Sequence, residues 1–158
     1  MRRLSWIAGG CRRFFRLPHP RRALLIEAAL YLLLARLTLI IVPFPRLSHR
    51  IGTFVEPADP RAILVQQDKL PDQAHTALEV GWAVSRAAGY VPFKAMCLPQ
   101  AMSAKAMLRR RRIKSVLHFG TMGGKKAALV AHVWLDAAGV EVTGYPVSNE
   151  FTEIACFV

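Results

Sequence analysis

The feature that most constrains the fold of this chain is a long apolar stretch near its start. Residues 23–44 read ALLIEAALYLLLARLTLIIVPF and include two charged side chains, Glu27 and Arg36. About 20 apolar residues suffice to cross a bilayer as a helix, but each charge near the bilayer centre costs roughly 2.5–3.5 kcal/mol. We therefore predict a buried core helix that ends before Pro43, and not a membrane span.

The segment ahead of this predicted helix is strongly basic. Seven arginines precede the first acidic residue, Glu27, and the whole chain has a formal net charge of +12. Such a surface attracts polyanions, acidic peptides or anionic membranes. The RRFF run at residues 12–15 is similar to a twin-arginine export signal, but Glu27 interrupts the apolar region and no Ala-x-Ala cleavage site follows. We predict a cytoplasmic protein whose basic arm allows peripheral membrane contact.

The cysteines and the second basic run exclude other classes of protein. Cys11, Cys97 and Cys156 lie far apart in the sequence, so there is neither a disulfide framework nor a paired Cys-x-x-Cys knuckle. We expect a reducing compartment, no zinc site and no cofactor. The basic run at residues 109–112 has no interleaved aromatic residues, and we expect no specific nucleic-acid partner.

Beyond residue 70 the apolar periodicity changes from helical to alternating, after a connector at residues 46–68 that suits turns and a short helix. We predict helices over residues 71–88 and 97–112, and strands over residues 115–121, 128–136, 140–147 and 151–157. Helices followed by an antiparallel sheet define an α+β domain. Within one compact domain we distinguish a basic arm (1–22), a helical region (23–70) and an α+β core (71–158).

Two side chains of this core have the chemistry of a nucleophile and a base. Cys97 opens a predicted helix, where unpaired backbone N–H groups and the positive end of the dipole stabilise negative charge. His132 lies on a predicted strand, with Asp136 on the same face. We expect the His132 imidazole to activate the Cys97 thiol across a helix–sheet interface. His118 and His75 have no such partner, and we expect them to be structural.

The segments around these two residues resemble a known family. The sequence CLPQ begins at residue 97, LRRRRIKSVLHFGT follows, and AHVWLDAAGVEVTGY surrounds His132. Together they resemble the transglutaminase-like, papain-like core of the stand-alone B-type leader peptidases of bacterial lasso-peptide biosynthesis. The similarity extends to RRALLIEAALYLLLAR and PFPRLSHRIG in the N-terminal half, and so covers most of the chain.

The resemblance implies a cysteine peptidase with Cys97 as nucleophile and His132 as general base and acid. Such a peptidase removes the leader from a ribosomally made precursor peptide so that a macrolactam cyclase can close the ring. Longer family members carry a leader-binding winged-helix domain ahead of this core, and its absence here implies a separate leader-recognition protein. We expect the Cys97 backbone N–H, with Gln100 as a second donor, to bind the oxyanion.

The third catalytic residue stays open at the level of sequence. In the family an acidic residue on the strand after the histidine orients the imidazole, whereas residues 142–145 here read VTGY. Asp136 lies four residues from His132, which is about 13 Å along a strand, so it needs a bulge or bend to reach the ring. The other candidates are Asn149 on a folded-back segment and a backbone carbonyl.

Three alternatives to a leader peptidase remain. A non-catalytic scaffold would only bridge precursor and cyclase. A basic membrane-associated adaptor would use the helix at residues 23–44. A transglutaminase would form the same acyl-enzyme on the cysteine, and differs in that an amine attacks it instead of water.

Overall fold

A computed structural model describes residues 14–15, 17–67, 70–123 and 129–158. The helices are α1 (His19–Ile41), α2 (Phe44–Ile51), α3 (Pro60–Gln67), α4 (Pro71–Ala88) and α5 (Cys97–Arg110). The strands are β1 (Phe54–Val55), β2 (Ser115–Met122), β3 (Val130–Ala137), β4 (Val140–Thr143) and β5 (Thr152–Phe157). Most of the predicted basic arm, Cys11, the twin-arginine run at 12–13 and most of the predicted turn at 123–126 lie outside the described residues.

The strands form one antiparallel sheet in the order β1-β5-β2-β3-β4. The main core joins one face of this sheet to helices α1, α4 and α5. On the other face, a smaller core joins α3 and β1 to β2 and β5. The predicted α+β class, with helices packed on an antiparallel sheet, is confirmed.

The periodicity located most of the elements. Helix α4 ends one residue before Gly89, and α5 begins at Cys97, as predicted. Strand β4 is shorter than predicted and ends at Thr143. The reason is a bulge, since the register shifts between Leu135–Thr143 and Asp136–Glu141, and Gly144 then leaves the strand with φ at 87°.

Helix α1 ends before Pro43 as predicted, but it is not a buried core helix. Its mean hydropathy is 2.2 over its most apolar window, yet only 17% of that window is buried. The buried side of the helix is a narrow stripe of residues about one helical turn apart, namely Ala28, Leu32 and Ala35. This stripe packs against the other helices. Large apolar side chains are exposed on the rest of the helix, namely Ile26, Leu30, Leu33, Leu34, Leu37, Ile40 and Ile41. By length and composition, α1 is long and apolar enough to cross a membrane.

Helix α5 is fixed on the sheet by a half-buried lysine. Lys105 Nζ donates to the carbonyl oxygens of Ser115 (2.8 Å) and Phe157 (3.1 Å), at one end of β2 and β5. Burial lowers the pKa of this ammonium to about 8. Cys97 lies eight residues before Lys105, about 12 Å along the helix. Because α5 leads directly into β2, its start lies toward the end of the sheet where His132 pairs with Gly120.

Helix α4 and strand β4 approach each other closely at Gly81. A Cβ atom on Gly81 would lie 2.2 Å from the carbonyl oxygen of Val142. Only glycine allows the helix to pack on this strand at that distance. The contact holds the β3–β4 hairpin, and with it His132, against the helical layer.

An ion pair joins the apolar helix to the helix that begins with Cys97. Arg111 donates to both carboxylate oxygens of Glu27, at 3.0 and 2.7 Å. Glu27 and Arg111 are both largely buried, with 15% and 25% of their side chains exposed. The hydrogen bonds from Arg111 hold the pKa of Glu27 below its ordinary value of 4.5, although burial acts in the opposite direction.

We predict that Glu27→Gln lowers the free energy of unfolding by about 1–3 kcal/mol at neutral pH, between the range for exposed and for buried pairs. Because the folded-state pKa of Glu27 is lowered, its contribution is present above pH 4.5 and is lost as the pH falls through the folded-state pKa. The difference between wild type and variant should therefore shrink in acid. Urea unfolding of both proteins between neutral pH and about pH 2.5, below both pKa values, measures it.

The matched control is Glu79→Gln. Glu79 pairs with the more exposed Arg21, which also bridges α1 and α4. Glu79→Gln should lower the free energy of unfolding by less than Glu27→Gln does. Equal losses, or a Glu27 difference that does not change with pH, would contradict this account of the helix interface.

Candidate active site

Cys97 lies at a helix start that has free backbone donors. The side chain of the preceding residue, Met96, makes no capping hydrogen bond. The N–H groups of Cys97 and Leu98 therefore have no acceptor within the helix, and Pro99 has no N–H to satisfy. The thiol is free and half-buried. Within the described residues, no group hydrogen-bonds Cys97 Sγ.

Gln100, predicted as the second oxyanion donor, holds the segment ahead of the nucleophile. Its Nε2 donates to the carbonyl oxygen of Ala95 at 2.7 Å. One amide hydrogen is therefore used to fix residues 95–97, and the second is left for a ligand. Its place in an oxyanion hole stays a prediction.

His132 is held by a backbone carbonyl. His132 Nε2 lies 2.6 Å from the carbonyl oxygen of Gly144. A carbonyl only accepts, so Nε2 carries the proton and Nδ1 is the ring nitrogen that can act as a base. The ring also stacks on Trp134 (6.1 Å between centroids) and touches Phe151 (5.2 Å). The imidazole therefore has a fixed tautomer and orientation.

Neither side chain considered as the third catalytic residue takes this hydrogen bond. The Asp136 carboxylate accepts from Tyr145 and from Gln66 (3.2 Å), and it pairs with His118 Nε2 at 3.3 Å. Asn149 is exposed. The bulge in β4 brings the Gly144 carbonyl to His132 instead. A backbone carbonyl, which the sequence left open, is the group that orients the ring.

Cys97 packs against the core on the face of the sheet that carries α5, whereas His132 points to the other face, and their expected contact stays a prediction. Val133 and Leu135 belong to the core that includes α5. Side chains alternate along a strand, so His132 points to the opposite face. Within the part of the chain that the structure describes, the two residues are not hydrogen-bonded to each other. The structure brings each of them into a suitable environment without joining them.

The face that His132 shares holds a polar cluster that sequence reasoning missed. His118 Nδ1 contacts Glu153 Oε1 and lies 3.5 Å from Cys156 Sγ. Cys156 Sγ donates to Glu153 Oε1 at 2.7 Å. The sequence predicted a structural role for His118 without a partner of the Cys97 kind, and the structure gives it a cysteine and two carboxylates as neighbours. Glu153 and Cys156 lie on β5, 35 and 38 residues after His118. No local sequence motif therefore indicates that they contact it.

The surroundings of Cys156 disfavour its thiolate form. Burial raises the pKa of the Cys156 thiol, and the neighbouring Glu153 carboxylate raises it further. Burial alone would lower the pKa of His118, but hydrogen bonds to Asp136 and Glu153 outweigh it and raise the pKa above 6.5. Cys156 is also fully buried. Without a bound metal this environment favours the protonated thiol over the nucleophilic thiolate, which leaves Cys97 as the candidate nucleophile among the described cysteines.

Comparison with protein families matches residues 38–156 to the family described as the transglutaminase-like superfamily. The match includes Cys97, His132 and the His118–Glu153–Cys156 cluster. It begins inside helix α1. No curated protein and no solved structure gives a significant match.

We predict that His132 is the Nε2–H tautomer at pH values where the ring is neutral. Gly144→Ala should change the tautomer balance, because a Cβ there would lie 2.5 Å from the carbonyl oxygen of Val133 and would force the Gly144 carbonyl to move. Long-range ¹H–¹⁵N spectra of the imidazole nitrogens measure the tautomer directly. An Nδ1–H tautomer in the wild type, or no change in the variant, would contradict the assignment.

Proposed function

The chain belongs to the transglutaminase-like superfamily, and we propose that it is a cysteine peptidase that removes the leader from a ribosomally made lasso-peptide precursor. Cysteine protease and acyltransferase activities are common in this superfamily. The observation that carries the proposal is Cys97, a free thiol on the first residue of a helix inside the matched region. The resemblance of the CLPQ and AHVW segments to lasso-peptide leader peptidases supports the substrate class.

The proposed reaction is acyl transfer through a thioester. Cys97 Sγ loses its proton to His132 Nδ1 and attacks the carbonyl carbon at the leader–core junction. The tetrahedral intermediate collapses as the C–N bond breaks and His132 returns the proton to the departing amine of the core peptide. A water molecule, deprotonated by His132, then hydrolyses the thioester and releases the leader carboxylate. The Cys97 backbone N–H and the free amide hydrogen of Gln100 are the proposed oxyanion donors.

The proposed catalysis requires a contact between His132 and Cys97. The His132 ring lies on the sheet face opposite α5, at the end of the sheet toward which Cys97 lies. Nδ1 must come within hydrogen-bond reach of Sγ in the assembled complex. We therefore propose that the active form is the complex with precursor and partners.

The proposed partners are the precursor leader, a separate leader-recognition protein and a macrolactam cyclase. The exposed apolar side of α1 supports a partner of some kind, because soluble monomers rarely leave such a contiguous apolar surface uncovered. The charge of +12 suits an acidic partner or an anionic membrane surface. We propose a cytoplasmic location with peripheral membrane contact.

One observation favours a second candidate, a non-catalytic scaffold that bridges precursor and cyclase. Among the described residues no hydrogen bond joins Cys97 to His132, as expected of a core that binds the precursor without cleaving it. The two functions differ in outcome, because a scaffold binds the precursor and leaves it whole.

The direct test is cleavage of a lasso-peptide precursor, in the presence of its leader-recognition protein, followed by mass spectrometry. Wild type should release the leader. Cys97→Ala should lose at least about 10³-fold in rate, because the nucleophile is gone. His132→Ala should lose about 10²–10⁴-fold, the usual contribution of a general base.

His75→Ala is the control, because His75 is an exposed histidine on α4 and should leave the rate unchanged. Equal leader release by all variants would assign the activity to another protein. Binding of the precursor without release by wild type would establish the scaffold. Transfer of the leader acyl group to an added amine, in preference to water, would indicate a transglutaminase.

A further inference from the structure

We propose that His118, Glu153 and Cys156 form a Zn²⁺ site on the sheet face opposite α5. The sequence led us to expect no zinc site, because spacing along the chain shows no pair of ligands. The inference does not depend on the peptidase function, since none of the three residues takes part in the proposed reaction.

The fold brings the three ligands to one face. His118 on β2 is directly opposite Cys156 on β5. Residues three apart on a regular strand point to opposite faces, so Glu153 would ordinarily point away from Cys156. The register shift at Phe119/Gly120 leaves Ile154 without a partner on β2. This bulge turns Glu153 onto the face of Cys156, and bulges of this kind often re-aim a functional side chain.

The donor atoms have the spacing of a small tetrahedral site. His118 Nδ1, a Glu153 carboxylate oxygen and Cys156 Sγ all lie within 4.8 Å of one another. Sγ and Nδ1 are 3.5 Å apart, and ligands at usual Zn–S and Zn–N distances in a tetrahedron are also about 3.5 Å apart. Glu153 Oε1 lies closer than this to both Sγ and Nδ1, at 2.7 Å from Sγ. The Glu153 carboxylate must therefore move slightly away from them to make room for the metal. Its side chain is 29% exposed and has room to do so.

The group that hydrogen-bonds the second nitrogen of His118 is also of the kind found around zinc sites. A histidine that binds zinc through one nitrogen usually donates its other N–H to a carboxylate, which fixes the ring. His118 Nε2 pairs with Asp136 Oδ2 at 3.3 Å, on the side of the ring away from Cys156. Asp136 is held in turn by Gln66 Nε2 at 3.2 Å and by the Tyr145 hydroxyl. The carboxylate is thereby fixed before any metal binds.

The surroundings exclude water from all but one side. His118 is 2% exposed and Cys156 fully buried. Trp134 stacks on the His118 ring with centroids 5.4 Å apart, and the small α3 core covers Cys156. The exposed side of Glu153 leaves an entry path and a fourth position for water or a ligand. On binding, Zn²⁺ would displace the Cys156 thiol proton to solvent and would neutralise the resulting thiolate and the Glu153 carboxylate, two charges that are otherwise costly to bury together.

The test is Co²⁺ and Zn²⁺ binding to the untagged full chain after removal of metal with a chelator. Co²⁺ reports thiolate ligation by a charge-transfer band in the near ultraviolet. We expect one equivalent of Co²⁺ to produce the band and one equivalent of Zn²⁺ to abolish it. Zn²⁺ should also raise the melting temperature of the protein, because it binds the folded state only.

Variants assign the ligands. Cys97→Ala, which removes the half-buried cysteine outside the cluster, should leave the band unchanged, whereas Cys156→Ser should abolish it. Asp136→Asn, which keeps the shape of the outer-shell partner, should weaken Zn²⁺ binding by about 10–100-fold. Glu153→Gln is the second ligand variant if Cys156→Ser fails to fold, as judged by circular dichroism, and should weaken binding at least as much.

The proposal is overturned if the wild type shows no thiolate band at stoichiometric Co²⁺. It is also overturned if the band survives Cys156→Ser or is lost in Cys97→Ala. Unchanged affinity in a folded Glu153→Gln protein would remove Glu153 from the site and would contradict the three-ligand assignment.

Discussion

The Glu27–Arg111 ion pair ties the apolar helix α1 to the end of α5, and the layout of the helical layer is built around this contact. Glu27 interrupts the apolar stretch that would otherwise suit a bilayer, and its carboxylate receives two hydrogen bonds from Arg111 just past the end of α5. The residue that disfavours membrane insertion is thus the one that fastens the apolar helix to the helix of Cys97. A basic residue is also favourable at the negative end of the α5 dipole. The pair therefore serves the tertiary contact and the helix end together.

Helices α1, α4 and α5 lie on one face of the sheet. Because side chains alternate along a strand, the candidate functional residues are divided between this face and the opposite one. The face toward α5 is filled by residues such as Val133 and Leu135, with Cys97 at its margin. The opposite face holds His132, Trp134 and the His118 cluster in one stacked row. The proposed peptidase must join a thiol from one face to an imidazole on the other at the end of the sheet. The proposed metal site uses the second face alone, and would stiffen the β2–β5 pair that lies beside His132.

Sequence periodicity predicted those parts of the fold in which side chains repeat regularly. The bounds of α4, the start of α5 and the β2–β3 hairpin follow from such repeats, and Cys97 was placed at its helix start for the same reason. The two bulges had no such signal, because each depends on pairing between distant segments. One delivers the Gly144 carbonyl to His132, and the other delivers Glu153 to Cys156. The prediction that α1 is buried was wrong, because apolar composition does not indicate which side of a helix packs against the rest of the protein.

The most direct measurement of the central claim is to trap the nucleophile. The full chain, with the leader-recognition protein, would be incubated with a leader peptide that ends in a thiol-reactive group in place of the scissile bond. Peptide mapping then identifies the modified residue. The account predicts a single adduct on Cys97 that forms much more slowly in His132→Ala. An adduct on Cys156, or modification of Cys97 at the same rate with and without His132, would contradict it.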